Sequence, residues 1–410
     1  MNTIRVARLL QAAFFFSLLC FGLFAYLHPG VDLRYYYGAA LLVRRGGNPH
    51  DYAQLAPVLK EISGFTGTII PYFYPPWYCL FFIPMTFLPF QAARLLWIVL
   101  NLGLFYVSLE WLWEVLDWRI ERWFRWVAFI FASILFGYAC LVSENSGFVL
   151  LFGLALTLRG IRRNQPILTG LGLILALTKP QATLMMVLCL AVWMIRRKPA
   201  ALGWGAAWAA GLLGAATVAI PRWWQFDYSG FGQGLTYALN GPETIAGIRV
   251  AATIYDWLKF TFGICGSAQI TIVAVIGLLG IGLVALVWKR YDNPAYLAAA
   301  SIILTLLLTP YALQYDYVPL TLAFLLTLKH LPDLKPLPRA AAILPLVLSV
   351  LVLFLAKMQY QATWILLFVS VSFAVAVLAK TSFSTQGGVP AAEDGGESLR
   401  SSERQYNPRS

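Results

Sequence analysis

One carboxylate and one ammonium group carry the most chemical promise in this chain. Asp32 follows directly on the first long apolar run, in His28-Pro-Gly-Val-Asp-Leu-Arg-Tyr-Tyr-Tyr37, with Arg34, Tyr35 and Tyr36 beside it. A carboxylate at the mouth of a membrane helix can take a proton from a hydroxyl as general base. The competing reading is a turn aspartate that faces water. Lys179 stands in Thr178-Lys-Pro-Gln181 between two short apolar runs, roughly 165–177 and 182–195. Thirteen helical residues rise only about 20 Å against a hydrocarbon core of about 30 Å. Lys179 is therefore expected below the outer surface, where an ammonium suits a phosphate. Snorkelling to the lipid headgroups is its alternative.

Three further clusters fall in turns between apolar runs. Ser143-Glu-Asn-Ser-Gly147 places Glu144 and Asn145 close to hydrocarbon. A buried charge there is costly enough to mark function, and a cap on the next helix is the other reading. Thr309-Pro-Tyr-Ala-Leu-Gln-Tyr-Asp-Tyr317 holds Tyr311, Gln314, Tyr315 and Asp316. Asp316 can pair with Lys179 or with Arg34, and the tyrosines fit an interface belt as well. Pro71-Tyr-Phe-Tyr-Pro-Pro-Trp-Tyr78 brings Tyr74. Trp111, Trp113, Trp118, Trp123 and Trp126 read as interface belt, and His28, His50 and His330 as structural.

These residues need a membrane scaffold to hold them. The chain has 410 residues, 60% hydrophobic and 12% charged. Soluble domains carry about 25% charged residues, so the apolar runs near membrane length mark an all-α polytopic membrane protein. The net charge of +12 is placed in cytoplasmic loops rather than against nucleic acid. Cys20, Cys79, Cys140, Cys189 and Cys265 are scattered, with neither disulfide framework nor metal spacing. About twelve crossings are expected, at roughly 9–27, 91–113, 124–141, 145–158, 165–178, 181–195, 201–220, 268–288, 294–309, 316–329, 339–356 and 362–379. Both termini are then cytoplasmic. Residues 34–45 and 51–63 are expected as short juxtamembrane helices. The proline-rich stretch 73–89 is expected to be interfacial, because counting it as a crossing would put two arginine clusters outside. The expected division is 1–382 as a transmembrane catalytic domain, with outer loops 29–90 and 221–267, and 383–410 as a disordered cytoplasmic tail.

In this order the blocks resemble glycosyltransferase family 87, within the C-type superfamily of membrane glycosyltransferases. They are Asp32 with Tyr35–Tyr37, the Gly-Asn-Pro turn at 47–49, Tyr74-Pro75-Pro76 with Pro84 and Leu88-Pro89, Asn145 opening a helix, Gly170 before Lys179-Pro180, and Pro310-Tyr311 with Tyr315. Ser143-Glu144 stands where that family usually has Gly-Gln. The resemblance implies a plasma (inner) membrane enzyme, mannosyltransferase-like, working on the non-cytoplasmic face. It would move mannose or another hexose or pentose from a polyprenyl-phosphate donor to a lipid or glycan acceptor, inverting at the anomeric carbon. Asp32 would be the base, and Lys179 and Arg34 would meet the donor phosphate. Tyr35, Tyr36, Tyr74, Glu144, Asn145, Gln181, Tyr311, Gln314, Tyr315 and Asp316 would contact substrate. No metal or other cofactor is expected.

A lipid-linked sugar flippase is the main competitor; it would show paired repeats and polar residues along the whole membrane path. A structural or assembly protein is the other, with Asp32 and Lys179 replaceable. The loop charges generate a first prediction. A reporter fused after Arg163 or Lys198 is expected to read cytoplasmic, and one inserted near Gly64 external. An external reading at Arg163 would make 73–89 a crossing and change the helix count.

Overall fold

The computed structural model describes residues 3–28, 30–62, 72–118, 121–224, 252–355 and 359–384. Every regular element among them is helical. In chain order these are α1 (Thr3–Leu27), α2 (Asp32–Arg44), α3 (Tyr52–Glu61) and α4 (Phe90–Leu116). Next come α5 (Arg122–Val142), α6 (Gly147–Arg162), α7 (Pro166–Ala176), α8 (Pro180–Arg197) and α9 (Pro199–Ala219). Last are α10 (Ile254–Phe262), α11 (Gly266–Arg290), α12 (Pro294–Leu308), α13 (Thr321–His330), α14 (Pro336–Leu355) and α15 (Thr363–Ser384).

Local chemistry sets the boundaries. Pro166, Pro180, Pro199 and Pro294 each open a helix, where a missing N–H costs nothing. Asp51 caps α3 by accepting from the Ala53 amide at 2.9 Å, and Asn293 caps α12 through Ala295 at 2.9 Å. A π-helical turn, Ser133–Gly137, interrupts α5.

Six helices, α1, α4, α5, α9, α11 and α14, are long and apolar enough to cross a membrane. The other stretches expected to cross are helical as well, but α7, α12 and α13 have only 11, 15 and 10 residues, α13 following a 3-10 segment. Stretch 73–89 forms no long helix. It folds as a nine-residue 3-10 segment, Cys79–Phe87, which spans only about 18 Å. The short helices expected near 34–45 and 51–63 are α2 and α3. Gly64, Asp227, Tyr228, Lys357 and the tail from 385 lie outside the described residues.

Two cores organise the chain. Along α4, Trp97, Asn101, Phe105, Ser108 and Leu112 form a buried stripe, while Leu95, Leu96, Val99 and Leu100 face outward. That is the pattern of a bundle helix in lipid. At the centre, α12 is buried on all sides. The second core belongs to the segment between α1 and α4: Leu33, Tyr36, Leu55, Tyr78 and Phe82 pack with Trp97 at the head of α4. Burial of these rings fixes α2, and so its first residue, Asp32, against the bundle. Trp126 of the expected tryptophan belt is buried in the main core instead, beside Phe14 and Phe129. His330 is structural, as expected: it is buried and its Nε2 meets the Tyr296 hydroxyl at 2.6 Å.

Candidate active site

Three segments distant in sequence converge on that of Asp32. The Asn145 amide Nδ2 donates to Asp32 Oδ2 at 2.5 Å. Its Oδ1 accepts from Lys179 Nζ at 3.2 Å and from the Gly147 amide at 3.0 Å. Lys179 Nζ also donates to Asp316 Oδ1 at 2.5 Å, and Asp316 Oδ2 accepts from the Leu313 amide at 3.0 Å. The chain of contacts therefore runs Asp32, Asn145, Lys179, Asp316. Its charges assign the orientation of the Asn145 amide: NH2 toward a carboxylate, oxygen toward an ammonium.

The backbone must come very close for this. A Cβ on Gly147 would lie 2.8 Å from the Tyr315 carbonyl and 2.9 Å from Cys140 Sγ. One on Gly30 would lie 2.6 Å from the Ser143 carbonyl carbon. Both positions thus need glycine for close approach. Pro180 opens α8 directly after Lys179, so the ammonium enters the cluster from the helix mouth.

Aromatic side chains wall the cluster. The Tyr36 and Tyr74 hydroxyls are 2.8 Å apart, and Tyr36 reaches Ser146 Oγ at 3.4 Å. Tyr74 stacks on Tyr78 with centroids 5.3 Å apart. Lys179 Nζ lies 4.6 Å from the Tyr315 ring centroid and 5.9 Å from that of Tyr74, within cation–π range. Tyr315 also interacts electrostatically with the Asp32 carboxyl. Tyr35 is buried on α2, Gln181 is half-buried on the first turn of α8, Gln314 opens the 3-10 segment Gln314–Leu320, and Tyr311 is exposed.

The structure decides several open readings. Lys179 is only 4% exposed, so it does not snorkel. Nor is it a lone cation, because Asp316 is its partner rather than Arg34's. Arg34 stacks on Phe90, 5.8 Å from the ring centroid, and interacts electrostatically with Glu144 and Arg94. Glu144 caps no helix; Asn145 serves the start of α6 through the Gly147 amide. Glu144 instead forms a buried ion pair with Arg94.

Arg94 is the residue that sequence reasoning missed. It is the fifth residue of α4, 2% exposed, and its Nη2 also donates to the Ala25 and Tyr26 carbonyls at 2.6 and 2.9 Å. Trp97 Nε1 donates to the Glu144 carbonyl at 2.9 Å. Together they tie the end of α1, the head of α4 and the turn that carries Asn145. An ionisable residue within a membrane helix is a functional flag in itself, and that signal was present in the sequence.

Burial pushes the Asp32 carboxyl above its ordinary 3.8, against the pull of Lys179 and of the Asn145 hydrogen bond. A raised carboxyl makes a better base than an ordinary aspartate. Among the described residues no three His, Cys, Asp or Glu side chains converge as a metal-binding set.

The buried Arg94–Glu144 pair yields a stability prediction. Glu144→Gln is expected to lower stability by about 3–5 kcal/mol, since it strands a buried guanidinium. Arg94→Met with Glu144→Gln is expected to recover much of that loss. Thermal unfolding of the purified variants checks it. Additive losses in the double variant would deny the coupling.

The sequence model of glycosyltransferase family 87 matches residues 72–310. That stretch includes Tyr74, Arg94, Asn145 and Lys179 and ends just before Asp316; Asp32 lies ahead of it. No curated protein and no solved structure matches the chain. A family match over more than half the chain, on a helical fold with membrane-length apolar helices, identifies a membrane enzyme that moves sugar from a donor to an acceptor: the chain belongs to glycosyltransferase family 87.

Proposed function

We propose that the enzyme transfers a hexose or pentose, mannose in the first instance, from a polyprenyl-phosphate donor to a hydroxyl of a lipid or glycan acceptor. Transfer takes place on the outer face of the plasma (inner) membrane, in a domain spanning about twelve crossings within residues 1–382. The observation that carries this reading is the placement of Asp32. It is a carboxyl with a raised affinity for protons, held by Asn145 at the end of a buried Lys179–Asp316 pair, on a helix outside the membrane spans.

The reaction is one inverting displacement. Asp32 takes the proton of the acceptor hydroxyl. The acceptor oxygen forms a bond to the anomeric carbon as the bond from that carbon to the phosphate oxygen breaks. Polyprenyl phosphate leaves with the electron pair, so a β-linked donor gives an α-glycoside. Positive charge near the leaving phosphate favours this step.

The local charges distribute that task. Asp32, Lys179 and Asp316 together carry one excess negative charge, whereas Glu144, Arg94 and Arg34 carry one excess positive charge. Arg34 is therefore the main partner of the donor phosphate, and Lys179, shared with Asp316, assists it and tunes the base. Tyr35, Tyr36, Tyr74, Gln181, Tyr311, Gln314 and Tyr315 are the groups available to sugar and acceptor hydroxyls. No metal is assigned a part.

Asp32→Asn keeps the hydrogen-bonding shape and removes the base. Turnover of a polyprenyl-phosphate sugar is expected to fall by about 10²–10⁴-fold, with donor binding and expression near wild type. Arg34→Gln and Lys179→Ala are expected to weaken donor binding instead. Normal turnover by Asp32→Asn would remove the base from this residue. Unchanged donor affinity in both cation variants would remove the phosphate from this corner.

A further inference from the structure

At the opposite end of α1 and α5 from Asp32, the two helices leave a cavity of about 650 Å³ between them. Arg8 and Gln11 of α1, Trp113 of α4, and Arg122, Arg125 and Trp126 of α5 are among its walls. Three guanidinium groups line it against one carboxylate, Glu121. Glu121 is engaged by the Trp123 indole. Arg125 pairs with Glu110 at 3.1 Å and lies 4.7 Å from the centroid of the Trp126 ring. Arg8 and Arg122 form no ion pair among the described residues.

The depth of the cavity follows from the helices. The 25 residues of α1 rise about 37 Å, more than the hydrocarbon core of about 30 Å. The far end of α1 is tied by Arg94 beside the Asp32 cluster. The cavity at the near end therefore lies at the other membrane surface, at headgroup level, where the half-buried indoles of Trp113 and Trp123 beside it fit interface positions. On the face of α1 that carries Arg8 and Gln11, Ile4, Phe15 and Leu19 are 57%, 41% and 66% exposed, an apolar track on which acyl chains can lie.

From the surplus of positive charge, the interfacial depth and the adjoining apolar track we infer that this cavity binds the phosphate headgroup of an anionic phospholipid, in the leaflet opposite the candidate active site. The soluble alternative, free phosphate, uses the guanidinium groups but leaves the track unused. Basic pockets between membrane helices take anionic headgroups in this way, and each cation near an anionic surface adds measurably to affinity.

The test uses the full-length purified protein in detergent and counts bound lipid by native mass spectrometry. Phosphatidylglycerol is compared with phosphatidylcholine of the same chains. The wild type is expected to retain phosphatidylglycerol by about tenfold or more over phosphatidylcholine. The double variant Arg8→Gln, Arg122→Gln is expected to lose that preference while eluting as the same monodisperse species. Arg5→Gln removes the same charge from α1 outside the cavity and is expected to keep it. Equal retention by wild type and double variant overturns the inference, as does an equal loss in Arg5→Gln. Inorganic phosphate in millimolar excess is expected to leave phosphatidylglycerol bound; displacement by it would make the site one for a soluble anion and overturn the lipid assignment.

Discussion

A single ammonium group, Lys179, is shared between Asp316 and the amide of Asn145, whose other end holds Asp32. Burying such a charge is expensive unless its partners are close and their remaining lone pairs are met. Here they are, because the Leu313 amide satisfies the second oxygen of Asp316 and the Gly147 amide shares the oxygen of Asn145. Four pieces of chain must be in register for that to hold. They are the start of α2, the turn before α6, the mouth of α8 and the 3-10 segment before α13. The same low dielectric that makes the pair costly to break carries the influence of Lys179 to the Asp32 carboxyl.

A second ion pair braces the first. Arg94 and Glu144 join the head of α4 to the turn that presents Asn145, and Arg94 reaches the last carbonyls of α1. Glu144 adopts a left-handed backbone at φ 56°, a conformation that costs a non-glycine residue free energy. The ion pair and the Trp97 bond to its carbonyl hold it there. The division of charge follows from this architecture, with a negative half around Asp32 and a positive half around Arg34.

Much of the scaffold is legible in the residues themselves. Prolines at 166, 180, 199 and 294 mark helix starts because only the first turn tolerates a missing donor. The polarity of residues 38–62 agrees with the absence of a candidate span between α1 and α4 among the described residues. The convergence of Asp32, Asn145, Lys179 and Asp316 could be proposed in part, since polar residues in short turns between apolar helices gather at one membrane surface. What pairs with what was not legible. Asp316 had two possible cations, and Glu144 seemed to belong to its own turn when its partner is 50 residues away on α4. Pairing across a bundle depends on helix rotation, which a run of uniformly apolar residues specifies weakly. The lengths of α7 and α12 also differ from a full crossing, because packing inside the bundle removes the need for each helix to match the bilayer alone.

The central claim is that Asp32 is a base whose proton affinity is raised by burial and held in check by Lys179. The pH dependence of kcat/KM tests it most directly, in wild type and in Lys179→Gln. A carboxyl raised in the folded enzyme is protonated, and so inactive as a base, once the pH falls through its own raised value. The account predicts an acid limb above the ordinary 3.8 of aspartate, moving to still higher pH when Lys179 no longer opposes the rise. A limb that stays in the same place in Lys179→Gln would contradict it.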